Sequence, residues 1–174
     1  PRLTGKAFAG IPPGPLHCAG PGRNRRFIRV QGSSGSIMFH TTIELETHGE
    51  GEIIDLTFQV QQAITESAVR MGLVTVFVTG STAAVTTIEY EPGVLSDLSR
   101  ALAVIAPDDI PYAHDAAWGD GNGRSHVRAA IVGPSLSIPV IGGRLACGAW
   151  QQIVLLELDV RASRRRTVHV TVHD

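Results

Sequence analysis

Hydrophobic and polar positions change character abruptly at residue 37. From there Ile37, Phe39, Thr41, Ile43 and Leu45 alternate with Met38, His40, Thr42 and Glu44, and this period of two predicts a strand. His40 lies within that alternation and reads as a satisfied or exposed histidine. A turn at Gly49, Glu50 and Gly51 follows. Leu56, Val60, Ile64 and Ala68, supported by Ala63 and Met71, then recur at helical spacing, with Asp55 placed to cap the helix and Gly72 to end it. Residues 73–79 and 83–89 are dense in β-branched side chains and predict two adjacent strands on either side of Gly80, Ser81 and Thr82. Pro92 and Gly93 end the second. Leu95, Leu98, Leu102 and Ile105 predict another helix, stopped by Pro107.

The stretch from Tyr112 to Trp150 is unusually long and glycine-rich, and such connections are more often functional than idle. Within it, Ser125 is placed to cap a short helix running to Val132. Residues 136–141 read as a strand that Pro139 confines to an edge or bulge. Residues 149–158 and 167–172 predict two closing strands. In the last, Val168, Val170 and Val172 face one way, with His169 and His173 on the solvent side beside Thr167 and Thr171. Arg161, Arg164, Arg165 and Arg166 fall in the turn between them, as a solvated hairpin end or an anion site. Strands outnumber helices, and the helices are inserted between strand pairs, which favours an α+β or sandwich-like fold over a doubly wound parallel sheet.

Residues 1–36 differ from everything that follows. They are rich in Gly, Pro and Arg, include the run Gly22-Arg-Asn-Arg-Arg26, and offer too little apolar surface to offset chain entropy. A solvated extension is the reading, with a nucleic-acid arm the sharper alternative; Met38 is a candidate start. Residues 37–174 then form one domain. The whole chain of 174 residues carries a formal net charge of −1, so no general attraction to nucleic acid or anionic membrane follows. Its apolar runs are much shorter than the roughly 20 residues that span a bilayer. Cys18 and Cys147 are the two cysteines and form neither a Cys-x-x-Cys pair nor a disulfide framework, which points to the cytoplasm.

His114 and His126 flank a glycine-rich turn that also carries Asp115 and Asp120. Imidazole binds zinc and related divalent metals, and carboxylates complete or orient such sites. The alternative is a pair of loop histidines hydrogen-bonded to backbone. Ser81 and Thr82 offer hydroxyls suited to an anion such as phosphate, but equally suit a tight turn. Glu89 ends an apolar strand, where a buried carboxylate needs a cation or a histidine as partner. The sequence contains no Walker A loop, dinucleotide fingerprint or His-Glu-x-x-His motif.

Several of these segments together resemble the YjbQ family. They are Gly80-Ser-Thr-Ala-Ala-Val-Thr-Thr-Ile-Glu89, Tyr112-x-His-Asp115, Ser125-His-Val-Arg128, Gly133-Pro-Ser-Leu-Ser-Ile-Pro-Val140, Gly143-Arg-Leu145 and Gly148-Ala-Trp-Gln-Gln-Ile153. The resemblance implies a small α+β protein with two packed, mainly antiparallel sheets and a few inserted helices, assembled as a homotrimer. It also implies a metal-linked histidine site near a subunit interface, with His114 and His126 as ligands and Glu89 and Asp115 in catalytic roles. For some members it implies a secondary thiamine-phosphate synthase activity, for which Ser81, Thr82 and Arg144 are candidate phosphate contacts. The divalent metal would be zinc or magnesium. Three departures mark a divergent branch: Gly80-Ser-Thr82 where many members have His-Thr-Thr, Ile88-Glu-Tyr90 where Asn-Glu-Asn is usual, and Ala149 for Thr. The functional expectation is therefore a YjbQ-like metal-associated enzyme acting on a small phosphorylated substrate. The alternatives are a non-catalytic metal or small-ligand-binding protein, or a metal-dependent hydrolase.

Overall fold

A computed structural model describes residues 28–31 and 36–174. The elements run β1 (Ile28–Gln31), β2 (Ile37–Thr47), β3 (Ile53–Asp55), α1 (Thr57–Ser67), β4 (Met71–Val78), β5 (Ala83–Ile88), α2 (Pro92–Ile105), α3 (Ala113–Trp118), α4 (Gly123–Val132), β6 (Ser135–Ile141), β7 (Arg144–Leu145), β8 (Gln152–Glu157) and β9 (Arg164–His173). They build a six-stranded sheet in the order β1-β2-β9-β4-β6-β7 and a three-stranded sheet in the order β3-β8-β5, with every pairing antiparallel. The α+β fold with two packed sheets is thus present. The basic run at residues 22–26, Cys18 and the linker at 32–35 lie outside the described residues. Residues 28–31, assigned above to a solvated extension, pair with β2 as an edge strand.

The alternation of β9 does what its sequence dictates. Val168, Val170 and Val172 are fully buried between the sheets, while His169 and His173 take the other face. They meet Val74, Val76 and Val78 of β4, Phe39 and Ile43 of β2, and Leu56, Val60, Ala63 and Ile64 beside α1, giving one continuous core. The apolar run of β8 is continuous because both faces are covered. Ile153 and Leu155 point into that core, and Val154 and Leu156 into a second cluster with Leu102 of α2 and Ala129 of α4.

Five local expectations change. Asp55 closes β3 instead of capping α1 directly, though its Oδ1 still accepts the Thr57 N–H at 2.8 Å. The helix ends at Ala68, whose φ of 63° is left-handed, and Gly72 belongs to β4, where a Cβ would sit 2.0 Å from the His173 carbonyl oxygen. The strands on either side of Gly80 are neighbours in sequence but belong to different sheets, because Gly80 turns the chain at φ +127°. Pro92 and Gly93 do not end a strand but open α2, which Glu91 caps by accepting the N–H groups of Gly93 and Val94. Residues 164–166 are not a turn: they open β9, and Arg166 is 2% exposed, paired with Glu157.

Candidate functional site

The first part of the stretch from Tyr112 to Trp150 is two helices, α3 and α4, joined by a glycine turn. Gly119 (φ +66°) closes α3 with its N–H on the Asp115 carbonyl, and Gly121 (φ +71°) reverses the chain again. Both conformations are costly for a side chain with a Cβ. The reversal returns Asp120 to the start of α3, where its Oδ1 lies 3.2 Å from His114 Nε2. Gly123 has no room for a side chain, since a Cβ there would meet Tyr112 Cβ at 2.4 Å. This close approach allows the Gly123 N–H to donate to Asp115 Oδ1 at 2.8 Å. The N-terminus of α4 therefore already holds an anion, and Asp115 anchors α3 to α4 with one of its oxygens.

His126 stands at the first turn of α4, with its ring centroid 4.5 Å from that of His114. Its Nδ1 is 3.2 Å from the carbonyl oxygen of Ser81. A carbonyl only accepts, so Nδ1 carries the proton, and in the neutral imidazole Nε2 then keeps its lone pair, the tautomer a metal ligand needs. His114 Nε2 is buried and has no hydrogen-bond partner, because the Asp120 oxygen at 3.2 Å lies outside hydrogen-bonding geometry. His114, Asp115 and Asp120 each offer a ligand atom within 4.8 Å of the others. The Asp120 carboxyl is held below its usual range. The Asn122 backbone N–H is the largest cause, assisted by the Asn122 side chain and the two imidazoles against some burial.

The remaining predicted site residues are dispersed. Thr82 is buried, and its hydroxyl donates to Asp159 Oδ2 at 2.8 Å and accepts from Arg166 at 3.0 Å, leaving nothing for a phosphate. Ser81 is exposed and contributes its carbonyl to His126. Glu89 is exposed, beyond the far end of β5, roughly 20 Å along the strand from Thr82 at about 3.3 Å per residue. Glu89 is therefore not buried within this chain, and the cation or histidine partner that a buried carboxylate would need is not called for. Arg144 is exposed on β7 and lines a separate open cleft of about 530 Å³ with Phe58, Gln61, Cys147 and Gln151. Ser125 is inside α4 and not its cap, which is Asn122. Gly80, the position at which the family resemblance raised the expectation of a histidine, has φ +127°, and a Cβ there would lie 2.9 Å from Arg166 Nη1. A third imidazole has no place at this position.

What sequence reasoning missed is the buried polar layer beneath the site: Asn122, Glu157, Asp159 and Arg166, each at most 3% exposed. The only trace of it in the sequence is a pair of carboxylates, Glu157 and Asp159, closing an apolar strand.

Fold and cluster together define an α+β two-sheet protein with a histidine–aspartate site in the α3–α4 turn. The profile of the UPF0047 protein YjbQ-like family matches residues 41–174, and the chain belongs to that family. A UPF0047 protein of Methanothermobacter thermautotrophicus is 38% identical over 128 residues, 74% of this chain and 88% of that one. The UPF0047 protein YugU of Bacillus subtilis is 30% identical over 132 residues, covering 74% and 95%. Among solved structures, a YbjQ-like protein of unknown function from Sulfolobus solfataricus superposes with a TM-score of 0.70 at 28% identity, covering 78% of this chain and 98% of that one.

Proposed function

We propose that His114, His126 and Asp120, with the free oxygen of Asp115, hold a divalent cation that serves a small phosphorylated substrate. The observation that carries this reading is the buried, unpartnered Nε2 of His114 beside the Asp120 carboxylate. A buried polar atom without a partner is costly, and a cation is the partner that the His114 imidazole and the two carboxylates fit, with the His126 ring 4.5 Å from that of His114 as a further donor. Two nitrogen donors favour zinc over magnesium, which prefers an all-oxygen shell. When bound, the cation would neutralise charge on phosphate oxygens. The protein's own part is to fix the His126 tautomer through Ser81 and to seat Asp120 against α3.

Within this reading the reaction class we assign is group transfer of the thiamine-phosphate synthase type, joining a pyrimidine pyrophosphate to a thiazole phosphate with release of pyrophosphate. A coupled assay with both precursors and added zinc is expected to show product above the no-enzyme rate, and His114→Ala is expected to abolish it. Product formation equal to the no-enzyme control rejects the transferase assignment. One observation favours the second reading, a non-catalytic metal or ligand-binding protein: Glu89 and Arg144 lie away from the cluster.

The same reading takes the chain as a cytoplasmic homotrimer that makes no use of nucleic acid or membrane. Self-association is supported by the outer face of the six-stranded sheet, where Met38, Leu73 and Phe77 are 52%, 40% and 41% exposed. No helix among the described residues is long and apolar enough to cross a membrane. Sedimentation equilibrium is expected to return three times the chain mass, and a monomer mass would contradict the trimer.

A further inference from the structure

Beneath the cation ligands, Asn122 has every polar group engaged. Its backbone N–H donates to Asp120 Oδ1 at 3.2 Å, and its Nδ2 lies 3.5 Å from Asp120 Oδ2 and 3.4 Å from Asp159 Oδ1. Its Oδ1 accepts the Val160 N–H at 3.1 Å, which fixes the orientation of the amide. Its carbonyl accepts the His126 N–H at 3.1 Å. One residue, 3% exposed, thus touches the Asp120 carboxylate with backbone and side chain and reaches Asp159 with its amide, while its carbonyl makes the ordinary i→i−4 bond of the turn that carries His126.

These contacts close into a circuit. From Asn122 it runs through Asp159 to the Thr82 hydroxyl at 2.8 Å, along one peptide to the Ser81 carbonyl, across 3.2 Å to His126 Nδ1, and back through the His126 N–H to Asn122. Thr82 and Asp159 are 4% and 1% exposed, so water does not compete for most of the circuit. Ligand orientation by partners one layer out is a general requirement of metal sites, and loss of such a partner typically lowers affinity about 10–100-fold.

We infer that Asn122 is the positioning residue of the site, holding Asp120 and His126 in one register through the Asp159–Thr82–Ser81 circuit. The inference rests on the cation reading for its purpose but not for its test. In zinc-free protein, nitrogen-15 imidazole spectra are expected to show His126 as a single Nδ1–H tautomer in the wild type and as a mixture in Asn122→Ala. Thr82→Val, which breaks the circuit without touching Asp120 or His126, is expected to shift the same signals in the same direction. Zinc titration of the same samples is expected to show affinity about 10–100-fold weaker in Asn122→Ala. Unchanged His126 signals in a folded Asn122→Ala overturn the inference, even where the melting temperature falls; if that variant does not fold, unchanged signals in Thr82→Val overturn it. A wild-type protein that binds no zinc defeats the cation reading, while the tautomer still decides the positioning role.

Discussion

Replacing Arg166 with methionine is expected to lower the unfolding free energy by about 3–5 kcal/mol, the range for removing one partner of a buried ion pair. Arg166 is 2% exposed and Glu157 is 1% exposed. Two guanidinium nitrogens donate to the two Glu157 oxygens, and one also reaches the Thr82 carbonyl and hydroxyl. Glu157 in turn accepts from the Thr47 hydroxyl and the Asp159 N–H. The loss would come less from missing attraction than from the carboxylate left buried without its cation. Urea unfolding checks this. The double replacement Arg166→Met with Glu157→Leu is expected to recover most of the loss, because two apolar side chains leave no stranded charge.

The same pair gives the fold an acid limit. Burial pushes the Glu157 carboxyl up, but hydrogen bonds from Arg166, Thr47 and the Asp159 N–H outweigh it, so its folded value lies below the usual range. Asp159 follows the same pattern: burial raises it, while the Arg161 N–H, Thr82, Arg164 and Asn122 bring it below normal. A carboxyl depressed in the folded state contributes stability that is complete above its unfolded value of about 4 and is lost as pH falls through the folded value. Wild-type stability is therefore expected to be flat near neutrality and to decline below about pH 4. In Arg166→Met that acid dependence is expected to flatten.

Replacing His114 with alanine has the opposite signature: no loss of stability, and loss of cation binding. Its Nε2 has no hydrogen-bond partner, so removal relieves one desolvated polar atom, which offsets the lost contacts with the Asp120 carboxylate and the His126 ring. Zinc-free His114→Ala is expected to unfold at a urea concentration no lower than wild type. Added zinc is expected to stabilise only the wild type, by about 2.7 kcal/mol at a hundredfold excess over the dissociation constant. Stability given up for a ligand is the usual mark of a functional site.

The strands were legible because alternation fixes which face is buried, as Val168, Val170 and Val172 show. Two packed sheets were implied by the family resemblance, but the assignment of the strands flanking Gly80 to different sheets was not legible, since it depends on the backbone turn there and not on any side-chain pattern. Arg166 was misplaced because a run of arginines reads as a solvated surface; its burial depends on Glu157, nine residues upstream and on the other sheet. The cation cluster was half legible. His114, Asp115 and Asp120 lie within seven residues of one another, and Gly119 folds them together. Glu89 was assigned from its place in a motif, and strand length alone separates it from the cluster. Asn122 gave no signal, because a positioning role exists only once Asp159 is brought beneath it.

The most direct test is the zinc content of the purified chain and of His114→Ala after equilibration with zinc and removal of excess. About one zinc per wild-type chain, and none in a folded His114→Ala, is the result this account predicts. Equal zinc content in the two proteins, or none in either, would contradict it.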